Sequence, residues 1–359
     1  MYKTKKLYWS LLLLIDIIGN MLFFWKKFRK FPVDPKKILV IRLDHMGDMI
    51  LTSSFFRNLK NAFPNANLEV LCRSSTKPIA EMIPFIDKIN VLNVPWFSRN
   101  ASVSLVKMCK FISINKKEYD LVFELHSDLR NIILAFFLGK YSLGFGIRGF
   151  GFLLNKTVKW DQRLKHIVDR NHDLLKPIKI NITNKKLSLK VDKQLVIKIK
   201  KLIPKNNRKK VLINLGVGAK ERDWGLENFK ELTSLLLEKT NYTIILVDSN
   251  TKKSKILLKN IKSKRLIDFS NKLNLKELVA LTSIVDIVFG LESMNIHLAT
   301  ALGKKIIYVH SSVTYIQEWG PYCKDFIVFQ KKPVNLYYSS KKAIEMIRSI
   351  KAEKVMKAL

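Results

Sequence analysis

The 359-residue chain is poor in cysteine, and this scarcity excludes two kinds of protein. Its three cysteines, Cys72, Cys109 and Cys323, lie far apart and form no Cys-x-x-Cys pair or Cys/His cluster. Their spacing argues against a zinc site and a disulfide scaffold, and it is typical of a protein in a reducing cytoplasm. With only 13 glycines and 10 prolines, long disordered tracts are not expected either.

Acidic residues are also scarce: 29 Asp and Glu stand against 65 Lys and Arg, which gives a formal net charge of +36. An excess of this size predicts an anionic partner. Nucleic acid is not favoured, because the lysines are spread along the chain and no helix-turn-helix, zinc-finger or aromatic RNA-binding pattern accompanies them. We therefore expect a phosphorylated substrate and an anionic membrane surface as partners.

Residues 1–35 form an apolar and then basic segment that is predicted to associate with a membrane. Leu7 to Trp25 is nearly long enough to span a bilayer, but Asp16 and Asn20 interrupt it, one turn apart on one helical face. We favour an interfacial helix with those two side chains in water; the residues assigned to the acyl boundary are Trp9, Leu13, Phe24 and Trp25. A single-span anchor is the alternative. Because lysines and arginines follow the apolar run, either arrangement keeps the protein body cytoplasmic.

The remainder of the chain alternates between strand and helix patterns, which predicts parallel sheets with crossover helices. We predict an α/β fold with two Rossmann-like domains. The predicted boundaries are 36–180 for the first domain, 181–209 for a Lys/Asn-rich linker, 210–330 for the second domain and 331–359 for a C-terminal helix.

The most informative motif follows the first predicted strand. Ile38 to Leu43 is a near-continuous aliphatic run, typical of a strand covered on both faces, and it runs into a polar turn that ends at Asp48. Ligands of open α/β sheets bind beyond the carboxyl ends of the strands, so Asp48 is a candidate general base. The alternative is a carboxylate that caps the next helix, whose hydrogen bonds would lower its pKa and weaken it as a base.

Two motifs in the second half are candidate anion sites. Gly216 and Gly218 allow a backbone to approach a phosphate, and Lys220 or Arg222 can neutralise it, although an ordinary glycine turn with solvated charges explains the same residues. Further on, a strand ends at Glu292 and Ser293, and a helix from Met294 closes at Gly303. Its N-terminus is a candidate diphosphate site, with Ser293 as a cap or a ligand. His297 lies in its first turns; the alternative is a buried structural imidazole.

Together these motifs resemble glycosyltransferase family 9, the bacterial ADP-heptose:lipopolysaccharide heptosyltransferases. The first half carries the family's R-x-D-x-x-G-D pattern as Arg42, Asp44, Gly47 and Asp48, and its D-L-H-x-x-x-R turn resembles the stretch 124–130. The second half keeps Ser293, His297, Ala299, Ala301 and Gly303 of the D-[ST]-G-x-x-H-x-A-x-A-x-G pattern, but Glu292 replaces its Asp and Met294 its Gly.

The resemblance implies a GT-B fold whose two domains face a central cleft, with the last helix returning to the first domain. It implies inverting transfer of a heptose from an ADP-activated donor to a lipopolysaccharide-core or similar envelope glycan, at the inner membrane. The catalytic base would be Asp48. The donor site would comprise Gly216, Gly218, Lys220, Arg222, Glu292, Ser293, Met294 and His297. The acceptor site would comprise Arg42, His45, His126, Ser127, Arg130 and Arg148, and Arg170 would also suit an acidic acceptor.

No cofactor is expected, and no metal, because no Asp-x-Asp pair stands at a strand end. Three rival functions stay open. A nicotinamide-dependent oxidoreductase should show Gly-x-Gly-x-x-Gly after its first strand, and Met46-Gly47-Asp48 does not fit. A transferase with another nucleotide sugar, or a non-catalytic membrane-associated nucleotide-sugar-binding protein, would explain the changes at Glu292 and Met294.

Overall fold

The computed structural model describes residues 6–97, 105–161 and 163–359. The chain divides into two compact units, Met1–Lys185 and Lys186–Leu359. Each unit contains a six-stranded sheet in which every neighbouring pair of strands is parallel. The predicted α/β class with two parallel sheets is therefore confirmed.

In the first unit the order in which successive strands are added to the sheet reverses beside the first strand. The strands are β1 Lys37–Ile41, β2 Asn67–Cys72, β3 Lys88–Val91, β4 Tyr119–Glu124, β5 Gly139–Gly144 and β6 Lys156–Thr157. Their order is β3-β2-β1-β4-β5-β6, with Ile38 of β1 in register with Leu68 on one side and Leu121 on the other. This is the doubly wound arrangement, whose reversal point lies between β1 and β4.

The helices of the first unit cover both faces of this sheet. They are α1 Trp9–Leu22, α2 Met46–Leu51, α3 Ser53–Ala62, α4 Lys77–Ala80, α5 Leu105–Ile114, α6 Leu129–Leu138 and α7 Ile167–Asp173. The sequence pattern predicts a helix from Ala101 to Lys117; residues 101–104 lie outside the described residues, and α5 covers the part from Leu105 to Ile114. Short 3-10 turns occur at Lys6–Tyr8, Phe24–Phe28, Pro95–Phe97, Gly151–Leu153 and Lys176–Ile178.

The second unit repeats the same topology. Its strands are β7 Lys210–Asn214, β8 Thr243–Val247, β9 Leu266–Asp268, β10 Ile287–Leu291, β11 Lys305–Val309 and β12 Phe326–Phe329. The order β12-β11-β10-β7-β8-β9 reverses between β7 and β10. Its helices are α8 Lys193–Lys201, α9 Leu226–Lys239, α10 Lys252–Asn260, α11 Leu275–Ile284, α12 Met294–Ala301, α13 Ile316–Trp319, α14 Ser340–Arg348 and α15 Ala352–Met356, with a 3-10 turn at Lys220–Arg222.

Two segments differ from their predicted form. The stretch 181–209, predicted as a linker, contains α8, whose Ile199 is fully buried in the core of the second unit because Asp192 caps a helix with one apolar face. The single C-terminal helix is in fact two helices, and Ile350 between them accepts a hydrogen bond from the Trp224 indole at 2.8 Å. Both helices pack into the second unit's core; a contact with the first domain stays a prediction.

The first helix also differs from its predicted orientation. Asp16 and Asn20 were predicted to face water, but Asp16 lies on the side of α1 that meets the protein: its carboxylate accepts a hydrogen bond from the backbone N–H of Phe150 at 2.8 Å. Asn20 accepts a hydrogen bond from exposed Lys27 at 2.9 Å. Leu12 and Gly19 are buried on the same side as Asp16. A carboxylate can pair with a turn N–H that has no strand or helix partner, and the sequence pattern does not reveal this. Within the described ranges, no helix has the length and apolarity required to cross a membrane.

Candidate functional site

Both reversal points carry polar residues, and most of the predicted site residues lie there. In the first unit the segment after β1 contains Arg42 and Asp48, and the segment after β4 contains His126. In the second unit Gly216 follows β7 and Glu292 follows β10. Because ligands of doubly wound sheets bind at these points, each unit is described from its own two central strands.

After β1, one buried arginine holds two carboxylates. The Arg42 guanidinium is 1% exposed; its Nε lies 3.2 Å from Oδ1 of Asp44 and its Nη2 lies 3.4 Å from Oδ1 of Asp48. A buried charge needs a partner, and here one cation serves two anions. Arg42 was predicted to bind the acceptor; the structure places it buried between the two carboxylates, and its role in binding stays a prediction.

The pKa of Asp48 is raised above its ordinary value. Burial is the main cause and the negative charge of Asp44 adds to it, while Arg42, His45 and His126 oppose the shift. The pKa of Asp44 is raised as well, again mainly by burial. Two carboxylates that share one arginine cannot both be fully stabilised as anions, so a proton is easily accepted by this pair.

The alternative interpretation of Asp48, a helix cap, is also realised. Its Oδ2 accepts a hydrogen bond from the backbone N–H of His45 at 3.3 Å, and the His45 side chain in turn accepts from the N–H of Asp48, which completes a capping box at the start of α2. We expected such bonds to lower the pKa of Asp48. Burial and Asp44 outweigh them, so capping and a raised pKa occur in the same carboxylate.

After β4, a buried glutamate shapes the turn that carries His126. Glu124 accepts hydrogen bonds from the backbone N–H of His126 at 3.0 Å and of Ser127 at 2.6 Å, and Ser127 adopts a left-handed φ of 62°. Burial raises the pKa of Glu124 to about 7. Burial also lowers the pKa of His126 to about 4, with Arg148 and Arg42 adding to the effect, so this imidazole is neutral near pH 7.

The arginines predicted to bind the acceptor have different surroundings. Arg130 keeps 45% of its side chain exposed and makes a bidentate pair with Asp128, from Nε at 2.8 Å and Nη2 at 2.6 Å. Arg148 is half-buried. Arg170 is 3% exposed and donates to backbone carbonyls, including that of Lys165 at 3.1 Å, so it stabilises a loop and is not free for an acceptor.

In the second unit a side chain links the two central strands. Asn214, the last residue of β7, donates from Nδ2 to the Gly216 carbonyl at 2.9 Å and to the Ser293 hydroxyl at 3.2 Å. Its Oδ1 accepts from the Gly216 N–H at 3.3 Å. The amide therefore holds the glycine turn after β7 against the start of α12 after β10.

A cavity of about 230 Å³ opens beside this turn. Its lining includes Gly216, Lys220 and Asp248, the last of which follows β8. A Cβ on Gly216 would lie only 2.6 Å from Oδ1 of Asp248 and would displace that carboxylate, whereas a Cβ on Gly218 would meet nothing within 4 Å. Carboxylates at the end of the second strand of such sheets accept hydrogen bonds from ribose hydroxyls.

Glu292 is the centre of a hydrogen-bonded cluster. Its Oε1 lies 3.2 Å from Nη1 of Arg222, and its Oε2 accepts hydrogen bonds from the hydroxyls of Ser311 and Thr314, both at 2.8 Å. The buried His310 lies 3.6 Å from the same oxygen. Burial would raise the pKa of Glu292, but His310, Arg222 and the two hydroxyls outweigh it, so the pKa lies below its ordinary value.

At the start of α12 the backbone N–H of Ile296 donates to the Ser293 carbonyl at 3.2 Å. Ser293 stands at the N-cap but its side chain makes no capping bond; its hydroxyl instead accepts from Asn214. At the other end Gly303 has a φ of 65° and donates to Thr300 at 3.2 Å, and Lys304 donates to Ala299 at 3.0 Å. The predicted glycine at C′ is thus confirmed as a Schellman motif. Met294 and His297 on this helix are half-buried.

Several residues of these sites were not predicted from the sequence. They share one kind of position, a polar residue at or shortly after the end of an apolar strand: Asp44, Asn214, Asp248 and His310. That position is a usable sequence signal, because the carboxyl end of a parallel strand faces the ligand crevice. In the part of the chain that the structure describes, no group of three or more His, Cys, Asp or Glu residues could hold a metal ion.

Two doubly wound units with these sites are typical of GT-B glycosyltransferases. The family model described as "Glycosyltransferase family 9 (heptosyltransferase)" matches residues 110–343, and the chain belongs to this family. It is 22% identical over 287 residues to the lipopolysaccharide core heptosyltransferase OpsX of Haemophilus influenzae, covering 77% of this chain and 79% of that protein. The chain is therefore a glycosyltransferase with heptosyltransferase relatives.

Solved structures agree on the fold. A family 9 glycosyltransferase from Veillonella parvula matches with a TM-score of 0.78 at 20% identity, over 92% of this chain and 98% of that one. The heptosyltransferase WaaC of Escherichia coli, solved with ADP, matches with a TM-score of 0.70 at 15% identity, over 90% of this chain and 98% of that one. Membership of family 9 favours a glycosyltransferase over the oxidoreductase and non-catalytic rivals.

Proposed function

We propose that this glycosyltransferase moves a heptose from ADP-heptose to a hydroxyl of a lipopolysaccharide-core acceptor, with inversion at the anomeric carbon and without a metal ion. The lipopolysaccharide core named for OpsX and the ADP bound to WaaC support the choice of acceptor and donor. The observation that carries the mechanism is the Asp48 carboxylate at the reversal point of the first sheet, with its raised pKa.

Asp48 acts as the general base in a single displacement. It removes the proton from the acceptor hydroxyl, the resulting oxygen attacks the anomeric carbon, and the bond from that carbon to the diphosphate oxygen breaks on the opposite face. A base is most effective when its pKa approaches the working pH, and the raised pKa of Asp48 moves it in that direction. Arg42 and Asp44 position Asp48 and set its charge.

The second unit binds the ADP leaving group. Lys220, Arg222 and the N-terminus of α12 supply positive charge for a diphosphate, which is the role a metal ion has in other transferases. Asp248 accepts hydrogen bonds from the ribose. Gly216 keeps the turn close enough to Asp248 for both groups to share the cavity.

Acceptor recognition uses the charged groups of the first unit that are not already buried. Arg130 and Arg148 face an anionic acceptor, because guanidinium groups bind phosphate bidentately. His45 is exposed and the turn of His126 and Ser127 lies beside it in the same reversal point. The roles predicted for these residues stay proposals. For Arg42 we propose that it positions Asp48 and does not bind the acceptor.

A second candidate function is transfer of a different nucleotide sugar. Glu292 and Met294 are the two departures from the family pattern, and Glu292 holds Arg222 at 3.2 Å beside the diphosphate site. A longer carboxylate moves that arginine relative to a shorter one. The donor sugar or its nucleotide is the property that such a shift would change.

The donor is identified by thermal shift with ADP-heptose and with ADP-, UDP- and GDP-hexoses, on wild type and on Asp48→Ala. A bound ligand raises stability by RT ln(1 + [L]/Kd), so the true donor gives the largest shift. ADP-heptose should stabilise both proteins, because Asp48 is not part of the donor site. A larger shift with another nucleotide sugar selects the second candidate function.

Transfer itself is tested with ADP-heptose and core oligosaccharides of defined length. The product linkage should have the opposite anomeric configuration from the donor, and a chelator should leave the rate unchanged. A product of retained configuration contradicts the single displacement. Loss of rate with a chelator, restored by a divalent ion, contradicts metal independence.

We also place the reaction at the cytoplasmic face of the inner membrane, with the protein as a peripheral component. Support comes from the net charge of +36 and from the apolar and basic N-terminal segment. Cell fractionation tests this location: the protein should sediment with inner membranes at low salt and be released in part at high salt, which screens headgroup attraction.

A further inference from the structure

The first helix presents two faces of opposite character. Toward the protein, Leu12 and Gly19 are buried and Ile15 packs with Phe152, in a small apolar cluster of the first unit. Away from the protein, apolar side chains of this helix repeat at intervals of three and four residues and are each 48% to 71% exposed: Leu11, Leu14, Ile18 and Met21. Leu7 and Trp25, in the 3-10 turns before and after the helix, continue the series and are 84% and 48% exposed. Those intervals form one continuous helical stripe.

The contact with the protein is specific enough to fix which face points outward. A Cβ on Gly19 would lie 2.5 Å from the ring of Phe152, so only glycine allows this close approach. The carboxylate of Asp16 accepts the Phe150 N–H at 2.8 Å, and the Asn20 amide donates to the Asp16 carbonyl at 2.6 Å. Asp16 is therefore turned inward, while the Asn20 side-chain oxygen accepts a hydrogen bond from exposed Lys27 at 2.9 Å at the end of the helix.

The stripe continues into aromatic and basic residues. Phe24 and Phe28 of the following 3-10 turn are 59% and 78% exposed. Next to them lie exposed Lys27, Arg29 and Lys30. Aromatic rings favour the boundary between headgroups and acyl chains, and cations favour anionic headgroups just above it. An apolar stripe with such a border is complementary to an anionic bilayer, whereas a second copy of a chain with net charge +36 would be repelled.

We propose that α1 is a docking surface for an anionic lipid bilayer, lying in the plane of the membrane with the Leu7–Trp25 stripe buried and the Leu12–Gly19 side retained against the protein. A helix fixed to its own domain by Gly19 and Asp16 can lie on a membrane without separating from that domain. An interfacial helix of this kind inserts its apolar face about 5–10 Å into the bilayer.

The test compares binding of the full chain to phosphatidylethanolamine/phosphatidylglycerol vesicles and to phosphatidylcholine vesicles by sedimentation. Wild type should bind the anionic vesicles and bind less at high salt. The double variant Leu14→Glu/Ile18→Glu should bind them about tenfold or more weakly, because it places two charges in the apolar layer. The matched control is Ile197→Glu/Ile256→Glu, two side chains that are 50% and 46% exposed on α8 and α10, and it should bind like wild type.

The depth of Trp25 separates docking from spanning. Fluorescence quenching by lipids brominated at different depths, taken as the difference between wild type and Trp25→Phe, should be strongest near the headgroups, and quenching strongest at the bilayer centre would overturn the assignment. Equal loss of binding in the control variant would also overturn it. So would dimerisation that Leu14→Glu/Ile18→Glu abolishes in a protein that binds no vesicles. Vesicle binding requires neither donor nor acceptor, so a failed transfer assay leaves this result unaffected.

Discussion

The two reversal points have the same topology and opposite electrostatics. In the first unit the residues after β1 place two carboxylates on one buried arginine, and the pKa of Asp48 rises. In the second unit the carboxylate of Glu292 is surrounded by an arginine, a histidine and two hydroxyls, and its pKa falls. The strand order alone therefore does not determine the chemistry of either site.

The difference follows from how many partners each carboxylate has. Asp48 shares Arg42 with Asp44, whereas Glu292 contacts Arg222 and accepts hydrogen bonds from the hydroxyls of Ser311 and Thr314. A poorly satisfied carboxylate in a buried place takes up a proton readily, and a well satisfied one remains an anion that orders its neighbours. The first site is therefore suited to proton transfer and the second to holding a cation beside an anionic ligand.

Among these variants, replacement of Asp48 should cause the largest loss of activity. Asp48→Asn removes the base but keeps the size of the side chain, so kcat should fall by about 10²- to 10⁴-fold, while stabilisation by ADP-heptose is retained. Steady-state kinetics and thermal shift measure the two properties. The control is Asp34→Asn. Because the Asp34 carboxylate is 70% exposed, this replacement should leave kcat unchanged. A kcat within a few-fold of wild type would rule out Asp48 as the base.

Replacing Arg222, the cation of the second site, should weaken binding of the donor. Arg222→Leu should raise the Kd for ADP-heptose by about 10- to 100-fold, because a hydrogen bond to a charged group contributes about 1.5–3 kcal/mol. Calorimetric titration measures the affinity. Arg208→Leu, a replacement of an exposed arginine elsewhere in the same unit, should bind normally. If Arg222→Leu binds ADP-heptose as tightly as wild type, Arg222 serves only to satisfy Glu292.

Competition between the two carboxylates predicts a shift in the pH profile. Catalysis requires deprotonated Asp48, so kcat/KM rises with pH through its pKa; the charge of Asp44 raises that pKa. Asp44→Asn removes this charge and leaves Arg42 to Asp48 alone, so the acidic limb of the profile should move to lower pH. Asp34→Asn again provides the control. A limb that stays in place or moves to higher pH would contradict the coupling.

The smallest effects are expected at the glycine turn after β7. Gly216→Ala places a Cβ 2.6 Å from Oδ1 of Asp248 and should lower the free energy of unfolding by about 1 kcal/mol, with several-fold weaker ADP binding. Gly218→Ala is the matched control, because its Cβ meets nothing within 4 Å; it should stay within about 0.5 kcal/mol. Urea unfolding separates the two. Equal effects would show that the contact with Asp248 does not matter.

Local patterns were sufficient for the fold and for part of the sites. The aliphatic runs at β1, β4, β7 and β10 predicted buried parallel strands, and the residues that follow them predicted where ligands bind. Gly303 at the end of α12 was predicted from its position and is confirmed by its φ of 65°. These features depend on neighbouring residues only, so their pattern is visible in the sequence.

The partners of charged residues could not be predicted in this way. Arg42 has an acceptor-binding position in the family pattern, but its burial depends on the sheet and helices around it. Glu292 finds Thr314 22 residues further along the chain, and Asp16 finds Phe150 134 residues further along. Such pairs form only after the chain has folded, and the polar residues that take part carry no periodic signal.

The sequence by itself therefore determined the two α/β units, the family, and the position of Asp48, Glu292 and Ser293 at strand ends. The tertiary structure decided which carboxylates share a cation, that Asp16 turns toward the protein, and that α8 belongs to the second core. The physical reason is the separation along the chain over which each property is set. Backbone periodicity is encoded within a few residues, whereas burial and charge pairing depend on contacts between segments far apart in the chain.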